Sequence, residues 1–150
     1  MTHISTNHIT ASVANALQYI SYYHPPDFIE SMSRAYEREA SESAKNAIGQ
    51  ILINSRMAAE GHRPMCQDTG VVVAFIKIGQ SVVIDGDISL QNAIDEGVRQ
   101  AYTNPDNPLR ASVVSPPIGE RRNTGDNTPA VVHIEMVTGD TLEITVAAKG

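Results

Sequence analysis

The sequence predicts an α+β fold, with N-terminal helices packed on a mixed or antiparallel sheet and a C-terminal β-hairpin. Three observations carry this. Apolar residues recur at helical spacing between Ile9 and Ala59. A continuous apolar run, Val71-Val72-Val73-Ala74-Phe75-Ile76, then has strand length. Near the end, Leu142, Ile144, Val146 and Ala148 alternate with Thr141, Glu143 and Thr145, the period of a half-buried strand. Helices first and strands afterwards is an α+β order rather than a βαβ repeat.

The first helix carries Ile9, Val13, Ala16, Leu17 and Ile20 on one stripe, with Thr6 or Asn7 available to cap it. Pro25-Pro26 ends it, because a residue before proline is pushed out of the α region. Pro26 suits the first turn of the next helix, striped by Phe28, Met32, Ala35 and Tyr36. A third stripe runs from Ala44 through Ile48, Ile51, Leu52 and Ser55 to Ala59, reads as core, and stops at Gly61. Val71–Ile78 reads as a strand covered on both faces. A short strand over Ser81–Ile84 follows, then a turn at Asp85-Gly86-Asp87 and a helix capped by Ser89 and running to Tyr102. From Thr103 to Pro129 periodicity is lost among prolines, Asn, Asp and Gly, the mark of a long functional or disordered loop. The closing hairpin pairs Val131–Val137 with Thr141–Ala148 across Thr138-Gly139-Asp140.

At 150 residues the chain is long enough to bury a core. Its 41% hydrophobic and 19% charged residues are ordinary for a soluble globular protein. A net charge of −6, no basic tract and no tryptophan argue against a nucleic-acid partner. No apolar run reaches the length of a membrane span and no signal peptide opens the chain, so the expected location is the cytoplasm. A single cysteine, Cys66, excludes an intrachain disulfide and agrees with a reducing compartment.

The chemistry concentrates around that cysteine. Pro64-Met65-Cys66-Gln67-Asp68-Thr69-Gly70 sets a thiol, an amide, a carboxylate and a hydroxyl in one turn at the mouth of the apolar strand. Together with Arg122-Asn123-Thr124-Gly125-Asp126-Asn127-Thr128-Pro129 and Val146-Ala147-Ala148-Lys149-Gly150, in this order, it resembles the class I fumarases, iron–sulfur hydro-lyases whose relatives include L(+)-tartrate dehydratase. The similarity runs from about Phe28 to Gly150. Residues 1–25 read as a peripheral helix and 26–150 as the family-like region.

The resemblance implies a [4Fe-4S] cluster held by three cysteines, with one iron open to act as a Lewis acid on the substrate hydroxyl. It assigns Cys66 as one cluster ligand, Asp68 as a catalytic group, and Gln67, Arg110 and Gly150 as substrate contacts. The substrate would be a small dicarboxylate, fumarate/L-malate first and tartrate second. Two further cysteines and the rest of the site would lie beyond Gly150. On this reading the chain is the N-terminal part of a longer, oligomeric enzyme, and the cluster is not expected in this fragment alone, since one thiolate cannot replace three.

Other readings stay open at the level of single residues. Cys66 could be an inert thiol, or a nucleophile beside His62. Asp68 could simply stabilise its turn. Arg121 and Arg122 compete with Arg110 for the carboxylate, a task that suits the guanidinium fork. His3, His8, His24, His62 and His133 show no metal-ligand spacing. A non-catalytic assembly or regulatory module that kept the fold is the alternative of another class.

Overall fold

In the computed structural model, residues 1–66 and 70–149 are described; Gln67, Asp68 and Gly150, three of the expected site residues, lie outside them. The first half forms β1 (Thr2–Ser5), α1 (Thr6–Tyr22), α2 (Pro26–Arg38) and α3 (Glu42–Gly61). Then come β2 (Val71–Gly79), β3 (Val82–Asp85), α4 (Leu90–Tyr102), β4 (Val114–Ser115), β5 (Arg122–Asn123), β6 (Val131–Val137) and β7 (Leu142–Lys149). Helices and mixed sheets together make the α+β class the sequence predicts. The chain divides into two compact units: Met1–Gln18 with Gln67–Gly150, and Tyr19–Cys66. No described helix is long and apolar enough to cross a membrane.

The first unit is built on β2. It lies between β6, to which it is parallel, and β7, to which it is antiparallel. Val72, Ala74, Ile76 and Ile78 are buried in one cluster with Ile9, Val13 and Leu17 of α1 and Ala93, Ile94, Val98 and Ala101 of α4. The opposite face is not covered as expected: Phe75 is 51% exposed and stacks on His133 at 5.2 Å. An apolar run alone cannot distinguish one covered face from two.

The expected hairpin is corrected too. β6 and β7 are consecutive, yet they flank β2 instead of pairing with each other. The most apolar strand thereby gains a hydrogen-bonded ladder on both edges. The β6–β7 connection crosses the end of β2, where Gly79 N–H donates to Thr141 O at 2.8 Å and Ser81 N–H to Gly139 O at 2.9 Å. A Cβ at position 79 would lie 2.6 Å from Gly139 O, so the crossing requires glycine.

At the N-terminus, the short parallel pairing of β1 with β3 escapes a periodicity reading because β1 holds one apolar residue, Ile4. Ser5, not Thr6 or Asn7, caps α1, its Oγ accepting from His8 N–H at 3.2 Å. Ser89 caps α4 as expected, accepting from Asn92 N–H at 3.1 Å. Thr10 Oγ1 donates to Ala93 O at 2.8 Å where α1 meets α4.

The second unit holds the last turn of α1 with α2 and α3. In α3, whose stripe reads as core, only Ser55 and Ala58 are buried, and Ile51 is exposed. A helical period shows which face is apolar, not how much of it is covered.

Candidate active site

Cys66 is positioned by the end of α3. His62 adopts the left-handed conformation (φ 46°, ψ 50°), and its N–H caps the helix at Ala58 O. Arg63 N–H reaches the same carbonyl at 3.1 Å. The His62 ring stacks on Tyr22 at 4.9 Å, and its Nε2 lies 3.4 Å from Tyr23 Oη. Met65 is then held at both backbone groups: its N–H donates to Ser21 O at 2.9 Å, and its carbonyl accepts from Asn54 Nδ2 at 3.1 Å. The residue before the thiol is thus fixed, while Cys66 itself is exposed and in no disulfide. An exposed thiol on a clamped segment suits one ligand position of a cluster. Among the described residues no group of three His, Cys, Asp or Glu could hold a metal ion, and the sequence holds one cysteine.

In the first unit, the segment from Thr103 to Pro129 is ordered by side-chain amides. Asn107 Nδ2 donates to Gln18 Oε1 at 2.7 Å, Gln18 Nε2 donates to Ala101 O at 2.6 Å and Asn107 O at 3.0 Å, and Leu109 N–H donates to Tyr102 O at 3.2 Å. Arg110 follows this anchor directly and is exposed. Beyond it, β4 and β5 form a two-residue antiparallel ladder. Asn123 Nδ2 donates to Ala111 O at 2.8 Å, and Thr124 N–H to Val113 O at 2.9 Å. Asn127 is fully buried. Its Oδ1 accepts from Ser112 N–H at 2.8 Å and Val113 N–H at 3.1 Å. Its Nδ2 donates to Gly70 O at 2.8 Å.

Asp126 anchors the other end of the loop. Its Oδ1 accepts from Thr128 N–H at 3.0 Å and the Thr128 hydroxyl at 2.8 Å, while Oδ2 accepts from Arg99 Nε at 3.0 Å. Partial burial by itself pushes this carboxyl up, but the two Thr128 donors and the Arg99 guanidinium together hold it below the usual carboxylate range.

One residue from each sequence motif is therefore found at one place in the first unit: Gly70, Asn127 and Lys149. Gly70 ends the first and is bonded by Asn127 of the second. Val71, the next residue, stands opposite Lys149 of the third in the β2–β7 register. Arg110 sits three residues before Val113 on the segment tied to this junction. Among its rivals, Arg122 pairs with Glu120 at 2.8 Å, and Arg121 is exposed with a φ of 50°. Cys66 belongs to the second unit. Ser112, Asn127 and Asn54 were not singled out by the sequence reading, although Asn123-Thr124-Gly125-Asp126-Asn127 is dense in residues that bond local backbone.

The second unit also bears an open pocket of about 490 Å³ lined by Tyr23, His24, Ile29, Leu52, Ser55 and Arg56, among others. His24 Nδ1 is 3.0 Å from Ser55 Oγ, its ring stacks on Phe28 at 4.4 Å, and burial lowers its pKa. The folded state therefore favours the neutral ring. Its contribution to stability is complete above the unfolded value of about 6.5 and is lost as pH falls through the lowered folded value. Urea unfolding at pH 7.5 and at pH 5 is expected to show a smaller acid-side loss for His24→Phe than for the unaltered chain. Equal losses in the two proteins would remove His24 as the cause.

Comparison with known proteins agrees with the motifs. The family model described as Fumarate hydratase (Fumerase) matches residues 10–150. The chain is 34% identical over 145 residues to the protein named "Putative L(+)-tartrate dehydratase subunit alpha" in Methanocaldococcus jannaschii, covering 95% of this chain and 50% of that protein. It is 30% identical over 148 residues to the L(+)-tartrate dehydratase subunit alpha of Escherichia coli strain UTI89, covering 97% and 48%. The strain K12 protein of the same name is 29% identical over 148 residues, with the same coverage. The chain spans about half the length of the curated relatives it matches. A family match over nearly the whole chain leads to one conclusion: this chain belongs to the fumarate hydratase (fumerase) family.

Proposed function

We propose that this chain is the N-terminal part of a [4Fe-4S] hydro-lyase, supplying one thiolate ligand and part of the substrate site for reversible hydration of a small dicarboxylate. The observation that carries the reading is the junction of Gly70, Asn127 and the Arg110–Val113 segment at the end of β2, beside Lys149. The cluster, when bound, would supply a Lewis acid for the substrate hydroxyl. Cys66 is its ligand from this chain. Arg110 grips a substrate carboxylate with two parallel hydrogen bonds. Gln67 donates to the substrate, and Asp68 holds or moves the proton that the addition or loss of water requires. Gly150 offers a backbone amide that can come close because no Cβ intervenes. The remaining cysteines come from the rest of the enzyme.

Fumarate/L-malate is the leading substrate pair, in keeping with the family. L(+)-tartrate is the second reading, favoured by the names of the relatives. Those names also contain "subunit alpha", and we propose that this chain likewise works beside another subunit. In the complete enzyme, turnover of L-malate and of L(+)-tartrate separates the two substrates, and turnover of neither would leave the non-catalytic module. Arg110→Lys is expected to raise the Michaelis constant for the preferred substrate while retaining the cluster. Lysine keeps the charge but loses the planar two-point grip. Losing one hydrogen bond to a charged group costs roughly 1.5–3 kcal/mol, about one to two decades in binding. Unchanged kinetics in Arg110→Lys, with raised Michaelis constants in Arg121 or Arg122 variants, would move the carboxylate role to those residues.

A further inference from the structure

We infer that Asn127 is the positioning residue of the substrate-carboxylate loop: its side-chain amide holds the Arg110–Val113 segment against Gly70 and so sets where Arg110 stands. The functional half of this inference rests on the hydro-lyase reading; the structural half does not.

The amide is used at three points. Oδ1 takes the N–H groups of Ser112 and Val113, and Nδ2 gives a hydrogen bond to Gly70 O. Ser112 Oγ adds a second donor to Gly70 O at 3.2 Å. These bonds join segments 57, 15 and 14 residues apart in sequence, so they decide tertiary placement rather than local helix or strand. Asparagine is the residue that suits the position. It can accept from two amides and donate to a carbonyl at once, and it tolerates the observed φ of 63° better than a branched or bulky residue. Aspartate keeps the acceptors but turns an oxygen toward the Gly70 carbonyl. Glycine keeps the backbone conformation but removes every contact.

The base of the loop is anchored elsewhere. Leu109 bonds to Tyr102, Asn107 to Gln18, and Asp126 to Arg99. Removing the Asn127 amide should therefore loosen the segment just after Arg110 while leaving the α1–α4 core intact. That separates a positioning role from a general structural one.

The test has two arms. In the 150-residue chain, amide hydrogen exchange is followed by NMR for Asn127→Gly and Asn127→Asp. Asn127→Gly is expected to speed exchange at Ser112 and Val113 by about tenfold or more, the loss of one buried hydrogen bond, with the Ile94 and Val98 amides unchanged. Asn127→Asp is expected to retain protection at Ser112 and Val113. In the complete enzyme, both variants are expected to raise the Michaelis constant for the dicarboxylate about tenfold, with kcat changed by less than about threefold. Unchanged exchange in Asn127→Gly overturns the clamp. Altered exchange with an unaltered Michaelis constant shows a clamp without a positioning role and overturns the inference while sparing the hydro-lyase reading. If the unaltered enzyme hydrates no dicarboxylate, that reading fails and takes the positioning role with it, whereas the exchange data still judge the clamp.

Discussion

Cys66→Ser in the complete enzyme is expected to abolish cluster retention and, with it, all dehydration. Serine is a harder ligand whose alkoxide is scarcely available at neutral pH, so a soft iron site loses one of its protein anchors. The effect is separable from misfolding. Cys66 is exposed, and its neighbour Met65 is held through backbone groups that the substitution does not touch. In the 150-residue chain without the cluster, stability should therefore move by no more than about 0.5 kcal/mol, as for surface changes generally. Iron and sulfide content of the complete enzyme, measured beside thermal unfolding of the 150-residue chain, checks both halves. A full complement of iron and sulfide in Cys66→Ser would end the ligand assignment. A large fall in the unfolding temperature of the 150-residue chain would instead make the cysteine a packing residue.

Gly97→Ala is expected to destabilise the first unit. Helix propensity alone predicts the opposite, a gain of about 1 kcal/mol over glycine in a helix interior. Packing reverses the sign. A Cβ at position 97 would lie 2.7 Å from Thr10 O and 2.8 Å from Val13 Cβ, contacts with a backbone and a buried side chain that cannot swing away. Forcing α1 and α4 apart should cost about 1–3 kcal/mol after the propensity gain is included, or roughly 2–4 °C in melting temperature for each kcal/mol in a chain of this size. Gly61→Ala at the end of α3 is the comparison, because a Cβ there meets only Arg63 side-chain atoms at 3.8 Å. A Gly97→Ala protein as stable as Gly61→Ala would show that the two helices have room to spare.

Much of the fold was legible where one residue type has one dominant physical use. Ser89 before a helical stripe, Pro26 at a helix start and Gly61 at a helix end each stand where they were expected. In the candidate site the three motifs are legible as motifs. The residues that hold the site are not. Asn127 and Ser112 work through backbone groups far away in sequence, and no local pattern marks which partner a buried amide will choose. Asn54 is likewise one polar residue on a helix until Met65 O is found 3.1 Å from its amide.

The sequence by itself determined the family, the α+β class, and the order and approximate limits of the long elements. These depend on period, capping and composition, which act over a few residues. Tertiary structure alone decided that β6 and β7 flank β2 instead of forming a hairpin, that Phe75 faces outward, and that Gly70, Asn127 and Lys149 meet at one strand end. Strand order is a competition among whole strands for the two edges of the most apolar one. Its outcome depends on which arrangement buries Val72, Ala74, Ile76 and Ile78 against α1 and α4, a comparison that no window of the chain contains.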